Sequence, residues 1–367
     1  MLIYIIVPSI NPLVNLKDFN CEDENVKVIV VDEGDEKIRK KNSEILSSII
    51  HEYYGPKERK QWFKGRFGGS FEKYYNLIPK RCHAESSFGF LKAYEEQADV
   101  IIELDDDVYI SKNFLKEHLS NLFGESGVTV QSKGGWYNTM DNLLLNVDER
   151  IFPRGHPYMS PCRDEDYAWT EGGGKCLLNM GLWRGQPDLD ALTLIHYGGI
   201  DGRSKVESRG LRIEKVVLGK GVYFSVCSMN TSFLSKAVPA FYQLYMNYMG
   251  VDRFDDIWSG VFLKRISDQI GDKICLGKPL ELHVKRPRNV FNDLKKEVNG
   301  LYMNEHVWRI CEEAELSAKT YSDCYLELAN FLARNIERCF KDKLQIKFWN
   351  TQIKNMRMWV EVTDKIR

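Results

Sequence analysis

The sequence predicts an α/β protein: a mainly parallel, doubly wound sheet flanked by helices, with a helical extension at the C-terminal end. Three observations carry this expectation. Short apolar runs alternate with charged, amphipathic stretches through the first part of the chain. Those runs end in polar or acidic residues, as strands do at the ligand-binding edge of an open sheet. The tail instead repeats apolar side chains at helical spacing.

Each element follows in order. Residues 2–7 are apolar and stopped by Pro8. The run is too short to span a bilayer and lacks a basic lead-in, so it reads as a first buried strand. Residues 26–31 form the second strand. Residues 36–54 are charged and amphipathic and read as helix. Residues 55–70, rich in Gly, Lys, Arg and aromatics, read as an exposed loop or inserted excursion. Residues 88–97 read as helix and Val100–Leu104 as the third strand. Pro, Gly and charges crowd residues 153–210, as substrate-binding loops do. Strand character returns at 211–218 and 222–226. In the tail, Leu328, Leu332, Ile336 and Phe340 recur at helix spacing, and an apolar, Trp-bearing stretch covers 348–362. These stripes read as core packing; leftover aromatic surface suits subunit contacts, so a homo-oligomer is among the expectations. The division expected is a catalytic domain over 1–310 and a helical extension over 311–367.

Composition narrows the class. A chain of 367 residues, 43% hydrophobic and 28% charged, can bury a full core as a soluble globular protein. A net charge of −1 argues against a general nucleic-acid binder and leaves room only for local basic clusters. Nine cysteines (Cys21, Cys82, Cys162, Cys176, Cys227, Cys275, Cys311, Cys324 and Cys339) are scattered singly without a CxxC pair. That spacing suits a reducing compartment and neither a disulfide scaffold nor a zinc ribbon. With no apolar run long enough to cross a membrane, a cytoplasmic protein is expected.

The sharpest chemical signal is Asp105-Asp106-Asp107, directly after the Val100–Leu104 run. Three adjacent carboxylates repel one another and call for a cation. Asp105 and Asp107 can share Mn2+ or Mg2+, which would also neutralise a diphosphate. That is the DxD arrangement of nucleotide-sugar enzymes, with Asp106 and Pro8 beside it as nucleotide contacts. A solvated acidic turn is the plain alternative for a bare DxD; the buried strand and the companions below weigh against it. Asp32 and Asp35 follow the second strand, where an acid can accept hydrogen bonds from uracil or ribose; an ordinary turn explains them equally well. Arg154 stands between Pro153 and Gly155, a setting that holds a guanidinium toward phosphate or developing charge. Arg163 is near enough in sequence to act with it. A surface arginine is the plainer reading of both. Asp255 and Asp256 enter an apolar run, as acids do at a helix N-terminus. Capping explains one of them. The adjacent Trp258 and Gly260 point to a sugar pocket, where the acid would bind hydroxyls or act as base. His283 ends an alternating strand, and its imidazole can complete the coordination begun by Asp105 and Asp107. Lys285 and Arg286 can meet the diphosphate. The run Gly172-Gly173-Gly174-Lys175 lacks the spacing of a phosphate loop and reads as a flexible loop.

Taken together, these residues resemble the reversibly glycosylated polypeptide family, whose best-known plant members are UDP-arabinopyranose mutases. The motifs run in the same order through nearly the whole chain. Ile6-Val7-Pro8-Ser9-Ile10 resembles the opening strand, and Val31-Asp32-Glu33-Gly34-Asp35 the acidic second loop. Leu104-Asp105-Asp106-Asp107 matches the DDD motif, with Val108 where plant members carry cysteine. Arg154-Gly155-His156-Pro157-Tyr158 resembles RGYPF. Gly181-Leu182-Trp183 with Pro187-Asp188-Leu189-Asp190-Ala191 is similar to GLW…PDYDAPT, and Cys227-Ser228-Met229-Asn230 to CGMN. Arg253-Phe254-Asp255-Asp256-Ile257-Trp258-Ser259-Gly260 is close to RYDDMWAG. The segment from Asn289 to Glu297 is close to NPFVNLKKE.

The resemblance implies a GT-A-like fold, a UDP-sugar substrate, a divalent ion and reversible self-glycosylation on the arginine of the RGYPF segment, here Arg154. Arg163 corresponds to a second family arginine, with two extra residues intervening. The 59–71 stretch stands as an insertion, and Pro287-Arg288 replaces small residues before Asn289, so the sugar is left open. The expected activity is a metal-dependent UDP-sugar mutase. The alternatives are a GT-A glycosyltransferase that passes the sugar to a glycan or lipid acceptor, and a non-catalytic sugar-nucleotide-binding subunit.

Overall fold

The computed structural model describes residues 1–17, 19, 23–49, 51–164 and 166–367; Cys21 lies outside them. The first part of the chain forms β1 (Ile3–Ser9), β2 (Val26–Asp32), α1 (Glu36–Ile45), β3 (His51–Tyr54), α2 (Pro56–Phe67), α3 (Phe71–Tyr75), α4 (Ser86–Glu95), β4 (Val100–Leu104) and β5 (Val108–Tyr109). The middle forms α5 (Phe114–Phe123), β6 (Val128–Ser132), β7 (Leu143–Leu145), β8 (Tyr167–Glu171), β9 (Leu178–Gly185), α6 (Ala191–His196), β10 (Ser208–Leu211), β11 (Lys215–Leu218) and β12 (Asn230–Leu234). The rest forms α7 (Asp255–Ile270), β13 (Ile274–His283), α8 (Val290–Glu312), α9 (Tyr321–Cys339) and α10 (Lys343–Ile366).

The strands join in the order β3-β2-β1-β4-β12-β9-β13-β11-β6-β8. The first four are parallel. β1, β2 and β4 are near-continuous Val, Ile and Leu because helices and loops cover both of their faces. From β1 the chain winds outward through β2 and β3, then returns to β4 on the other side. That reversal between β1 and β4 opens a crevice at the strands' carboxyl ends. Beyond β4 the sheet is mixed, since β12 runs antiparallel between β4 and β9. This is an α/β, GT-A-like arrangement: a parallel wing, an acidic turn after its last strand, and a mixed wing beyond. β13 matters most for the site. It pairs antiparallel with β5, His283 opposite Val108, so its end is carried to the acidic turn.

Several elements differ from the sequence expectation. The amphipathic period of 36–54 ends at Ile45; residues 51–54 become the edge strand β3, half-buried along β2. The 55–70 stretch is not a loop. Pro56 starts α2, where its missing N–H costs nothing, and Arg59, Trp62 and Phe63 bury one helical face. The buried Arg59 guanidinium meets Glu33 and Glu85. Residues 211–218 split into β10 and β11, and 222–226 contribute only the bridge from Tyr223 to Trp136. In the tail, Leu328, Leu332 and Ile336 are buried along α9, and Phe340 lies just past its end. Each such side chain contributes about 1.5–3 kcal/mol on burial. α8 runs continuously through residue 310.

Candidate active site

Two cavities meet at the acidic turn. One, of about 130 Å3, is lined by Asp105, Asp107, Asp188, Asp255 and Asp256 against His83, Arg154, Arg253, His283, Lys285 and Arg288, with Cys227, Ser228 and Met229. The other, of about 180 Å3, is lined by Pro8, Ser9, Ile10, Asn11, Arg81, Cys82, Glu85 and Asp106. His83 and Asp105 line both. A larger hollow of about 810 Å3, lined by Asp99, Leu234 and Arg367 among others, lies at the opposite end of the strands and holds none of these acids.

The acidic turn is tied down by its backbone. Asp105 N–H donates to the Met229 carbonyl (3.1 Å), and Asn15 Nδ2 donates to the carbonyls of Asp105 and Val108. The three carboxylates then diverge, each to a different basic side chain. Asp105 accepts from His83 Nε2 at 2.8 Å. Asp106 accepts from Ser9 Oγ (2.8 Å), Asn11 Nδ2 (3.1 Å) and Arg286 Nη1. Asp107 Oδ1 lies 3.7 Å from His283 Nε2. Burial raises the Asp106 carboxyl above its ordinary range even against Arg286. Burial acts the same way on Asp107, but His283, Arg286 and Lys285 outweigh it and hold that carboxyl low. His283 Nδ1–H donates to the Gln186 carbonyl at 2.5 Å, which leaves Nε2 facing Asp107.

His83 was not anticipated. It opens a single 3-10 turn before α4 and spans the cavity. Besides Asp105, its Nδ1 meets Asp255 Oδ2 at 3.1 Å, and Glu103 Oε1 lies 3.5 Å from Nε2. Burial disfavours the charged ring, yet Asp105, Asp255 and Glu103 overcome it and hold the imidazole protonated well above its usual range. Asp255 and Asp256 open α7 as the sequence indicates. Their environments separate them. Burial raises both, but His83 pulls Asp255 down, while Asp256, beside the charged Asp255, is pushed up to about 6. Such divergence between neighbouring carboxyls marks acid–base assignments.

Arg154 lies 8% exposed at the cavity wall. Its turn requires Gly155, whose φ is +87° and where a Cβ would stand 2.6 Å from Ile257. Arg154 Nε donates to Asp188 Oδ2 (3.0 Å) and Nη2 lies 2.8 Å from the same oxygen. Nη1 and Nη2 face the two oxygens of Asp256 at 3.5 Å, and Nη1 also donates to the Arg253 carbonyl. Burial would raise Asp188, but Arg154, Lys285 and Arg253 drive its carboxyl far below the usual range. The same pairing holds Arg154 charged against its burial. Lys285 is buried, and among the described residues its Nζ has no hydrogen-bond partner.

The structure thus brings together Asp105, Asp107, His283, Arg154, Asp255, Asp256 and Lys285 in one cavity, with Pro8 and Asp106 in the adjoining one. Arg286 sits on Asp106, donating to its carboxylate and carbonyl, and lines neither cavity. Three residues depart from their expected place. Asp32 is consumed by Asn42 Nδ2 (3.1 Å) and the Gly34 N–H, and Asp35 is the exposed N-cap of α1, accepting from Ile38 N–H (2.9 Å). Both follow the ordinary-turn alternative. Arg163 is held between the rings of Phe152 and Tyr158, with 4.2 and 4.1 Å from its guanidinium carbon to the ring centres. It braces the loop that carries Arg154 and lines neither cavity. His83 and Arg288 carried no motif signal as site residues, and Asp188, Arg253, Cys227 and Ser228 stood only inside quoted motifs. A dipeptide such as Pro187-Asp188 reads as turn chemistry and nothing more.

The model of the family described as reversibly glycosylated polypeptide matches residues 79–367. The chain belongs to the reversibly glycosylated polypeptide family. UDP-arabinopyranose mutase 1 of Arabidopsis thaliana is 28% identical over 298 residues, covering 76% of this chain and 72% of the relative. UDP-arabinopyranose mutase 1 of Oryza sativa subsp. japonica is 26% identical over 296 residues, covering 76% and 70%. Among solved structures, residues 1–349 of S. aureus TarS align over 98% of this chain and 81% of that one, at 12% identity and a TM-score of 0.35. The family match includes every cavity-lining residue on the mixed wing, together with Asp105–Asp107 and His83. It begins well after β1, which supplies Pro8 and Ser9, and after Asn11 in the turn that follows it.

Proposed function

We propose that this protein is a metal-dependent mutase that interconverts the ring forms of a UDP-linked sugar, holding the sugar transiently on Arg154. The observation that carries the reading is the buried Arg154 guanidinium clamped between Asp188 and Asp256, in the same cavity as Asp107 and His283. The mutase names of the plant relatives point the same way.

The nucleoside fits the cavity at Pro8, Ser9 and Asn11, with the diphosphate at the wall shared by His83 and Asp105, and Arg286 beside it. Asp107 Oδ1 and His283 Nε2 face each other across 3.7 Å, and both are donor atoms that a divalent ion takes. Among the described residues no three His, Cys, Asp or Glu side chains converge to hold an ion unaided. Asp107 and His283 would therefore hold Mn2+ or Mg2+ jointly with phosphate oxygens, as is usual for nucleotide-bound ions. Bound there, the ion supplies positive charge to the departing diphosphate.

The protein's residues do the rest. The bond from C1 to the phosphate oxygen breaks and its electron pair leaves with UDP. An Arg154 Nη bonds to C1, and its proton passes to Asp256 as that bond forms. The carboxylates that keep Arg154 charged rule out an earlier proton loss. Asp256, poised near 6, then returns the proton to the ring oxygen as the ring opens, and takes one from the hydroxyl that closes the alternative ring. UDP re-attacks C1, and Arg154 leaves with the proton restored. Asp188 keeps the guanidinium in place throughout.

The test is incubation with Mn2+ and a panel of UDP-sugars, with chromatography of the nucleotides and intact-protein mass. A new UDP-sugar isomer supports the mutase. UDP release that depends on an added acceptor would instead make it a transferase, and binding with neither outcome a non-catalytic subunit.

A further inference from the structure

We propose that Lys285 and Arg288 form a seat for a carboxylate on the sugar, so that the preferred substrate is a nucleotide-linked uronic acid. The inference rests on reading the 130 Å3 cavity as the sugar's. Two cationic groups line that cavity with buried, unpartnered N–H groups. Lys285 is 5% exposed and its Nζ has no hydrogen-bond partner among the described residues. Arg288 gives its Nε to Asp293, while its buried Nη2 has none. The carboxylate nearest in charge, Asp188, is already taken by Arg154. Buried charged N–H groups left without an acceptor are costly and call for an anion.

The position of these groups argues for the sugar over the diphosphate. The diphosphate must cross the wall shared by the two cavities, at His83 and Asp105. Arg286 is held on the neighbouring Asp106, outside both cavities. Lys285 and Arg288 lie beyond it, with Arg154 and Asp188. A neutral sugar offers only hydroxyl lone pairs there; a carboxylate offers two charged oxygens to two cations.

The experiment is calorimetric titration, with Mn2+ present, of the full chain with UDP, UDP-glucose and UDP-glucuronic acid, repeated for Arg288→Gln. The expected result is that the wild type binds UDP-glucuronic acid at least about tenfold tighter than UDP-glucose, the scale of one charged hydrogen bond. Arg288→Gln should shrink that ratio to within about twofold and leave UDP affinity unchanged. Equal wild-type affinities for the two sugars overturn the proposal. So does an Arg288→Gln loss that is as large for UDP, which would assign the seat to the diphosphate. Should Arg288→Gln fail to fold, the wild-type ratio decides and Lys285→Gln replaces it. A wild type that does not bind UDP at all refutes the UDP-sugar reading itself, a result distinct from a lost acid preference.

Discussion

Replacing Arg154 by Met should destabilise the protein strongly at alkaline pH and much less in acid. The substitution keeps the apolar stem and removes the charge between Asp188 and Asp256. Breaking a buried pair from one side typically costs about 3–5 kcal/mol, because the other charge stays buried alone. Here two carboxylates are orphaned, and their titration sets the pH dependence. In the wild type Asp188 is held below its unfolded value, so its contribution is present above that value and lost as pH falls through the folded one. In the variant burial acts on Asp188 against only Lys285 and Arg253, so its carboxyl rises, and Asp256, already near 6 beside Arg154, rises further. Asp256 then binds its proton more tightly folded than unfolded, and Asp188 loses most of the stabilisation it had above its folded value. The variant's stability therefore falls as pH rises through those folded values. Each unit of displacement is about 1.4 kcal/mol. Urea unfolding followed by tryptophan fluorescence at pH 8 and pH 5 measures the difference. We expect a loss of about 3–5 kcal/mol at pH 8, shrinking by at least half at pH 5. A loss below about 1 kcal/mol, or one equal at both pH values, would refute the clamp as the reason Arg154 is held.

Other consequences are more direct. Isomerisation should fall about tenfold per pH unit below roughly 6, where Asp256 takes up a proton and can no longer accept one; Asp256→Asn should be nearly inactive with no such limb in its pH–rate profile. Asp107→Asn and His283→Ala should each remove the gain in UDP affinity that Mn2+ confers, read by titration with and without the metal, while UDP binding in chelator stays unchanged. His83→Gln should lower stability by about 1–3 kcal/mol at pH 6, since it leaves Asp105 and Asp255 short of a charged donor. The His83 contribution is present below the unfolded histidine pKa and lost as pH rises through the elevated folded value, so the wild-type and variant unfolding curves should converge in alkali.

How much of this was legible in the sequence depended on whether a signal was local. The parallel wing was readable because β1, β2 and β4 are continuous apolar runs buried on both faces. Asp105–Asp107, His283 and the Asp255–Asp256 pair were readable because each stands at the end of a periodic element. α2 was not, because Gly and charged residues dilute a helix whose buried face is only Arg59, Trp62 and Phe63. Residues 222–226 have strand composition, but only Tyr223 finds a bridge partner. His83 lay in an irregular segment, and nothing in its neighbours shows that β4 and α7 deliver carboxylates to both its ring nitrogens. Asp35 and Arg163 mislead in the opposite direction. Their residue types suit ligand binding, and only the fold reveals that one caps a helix and the other is stacked between two rings.

The central claim is that Arg154 takes the sugar, and rapid quenching during turnover tests it most directly. The protein is mixed with Mn2+ and the UDP-sugar it isomerises, quenched, digested and mapped by mass spectrometry. The account predicts one sugar residue on the peptide containing Arg154, lost again when excess UDP is added before the quench. Continued isomerisation with that peptide unmodified throughout would contradict it.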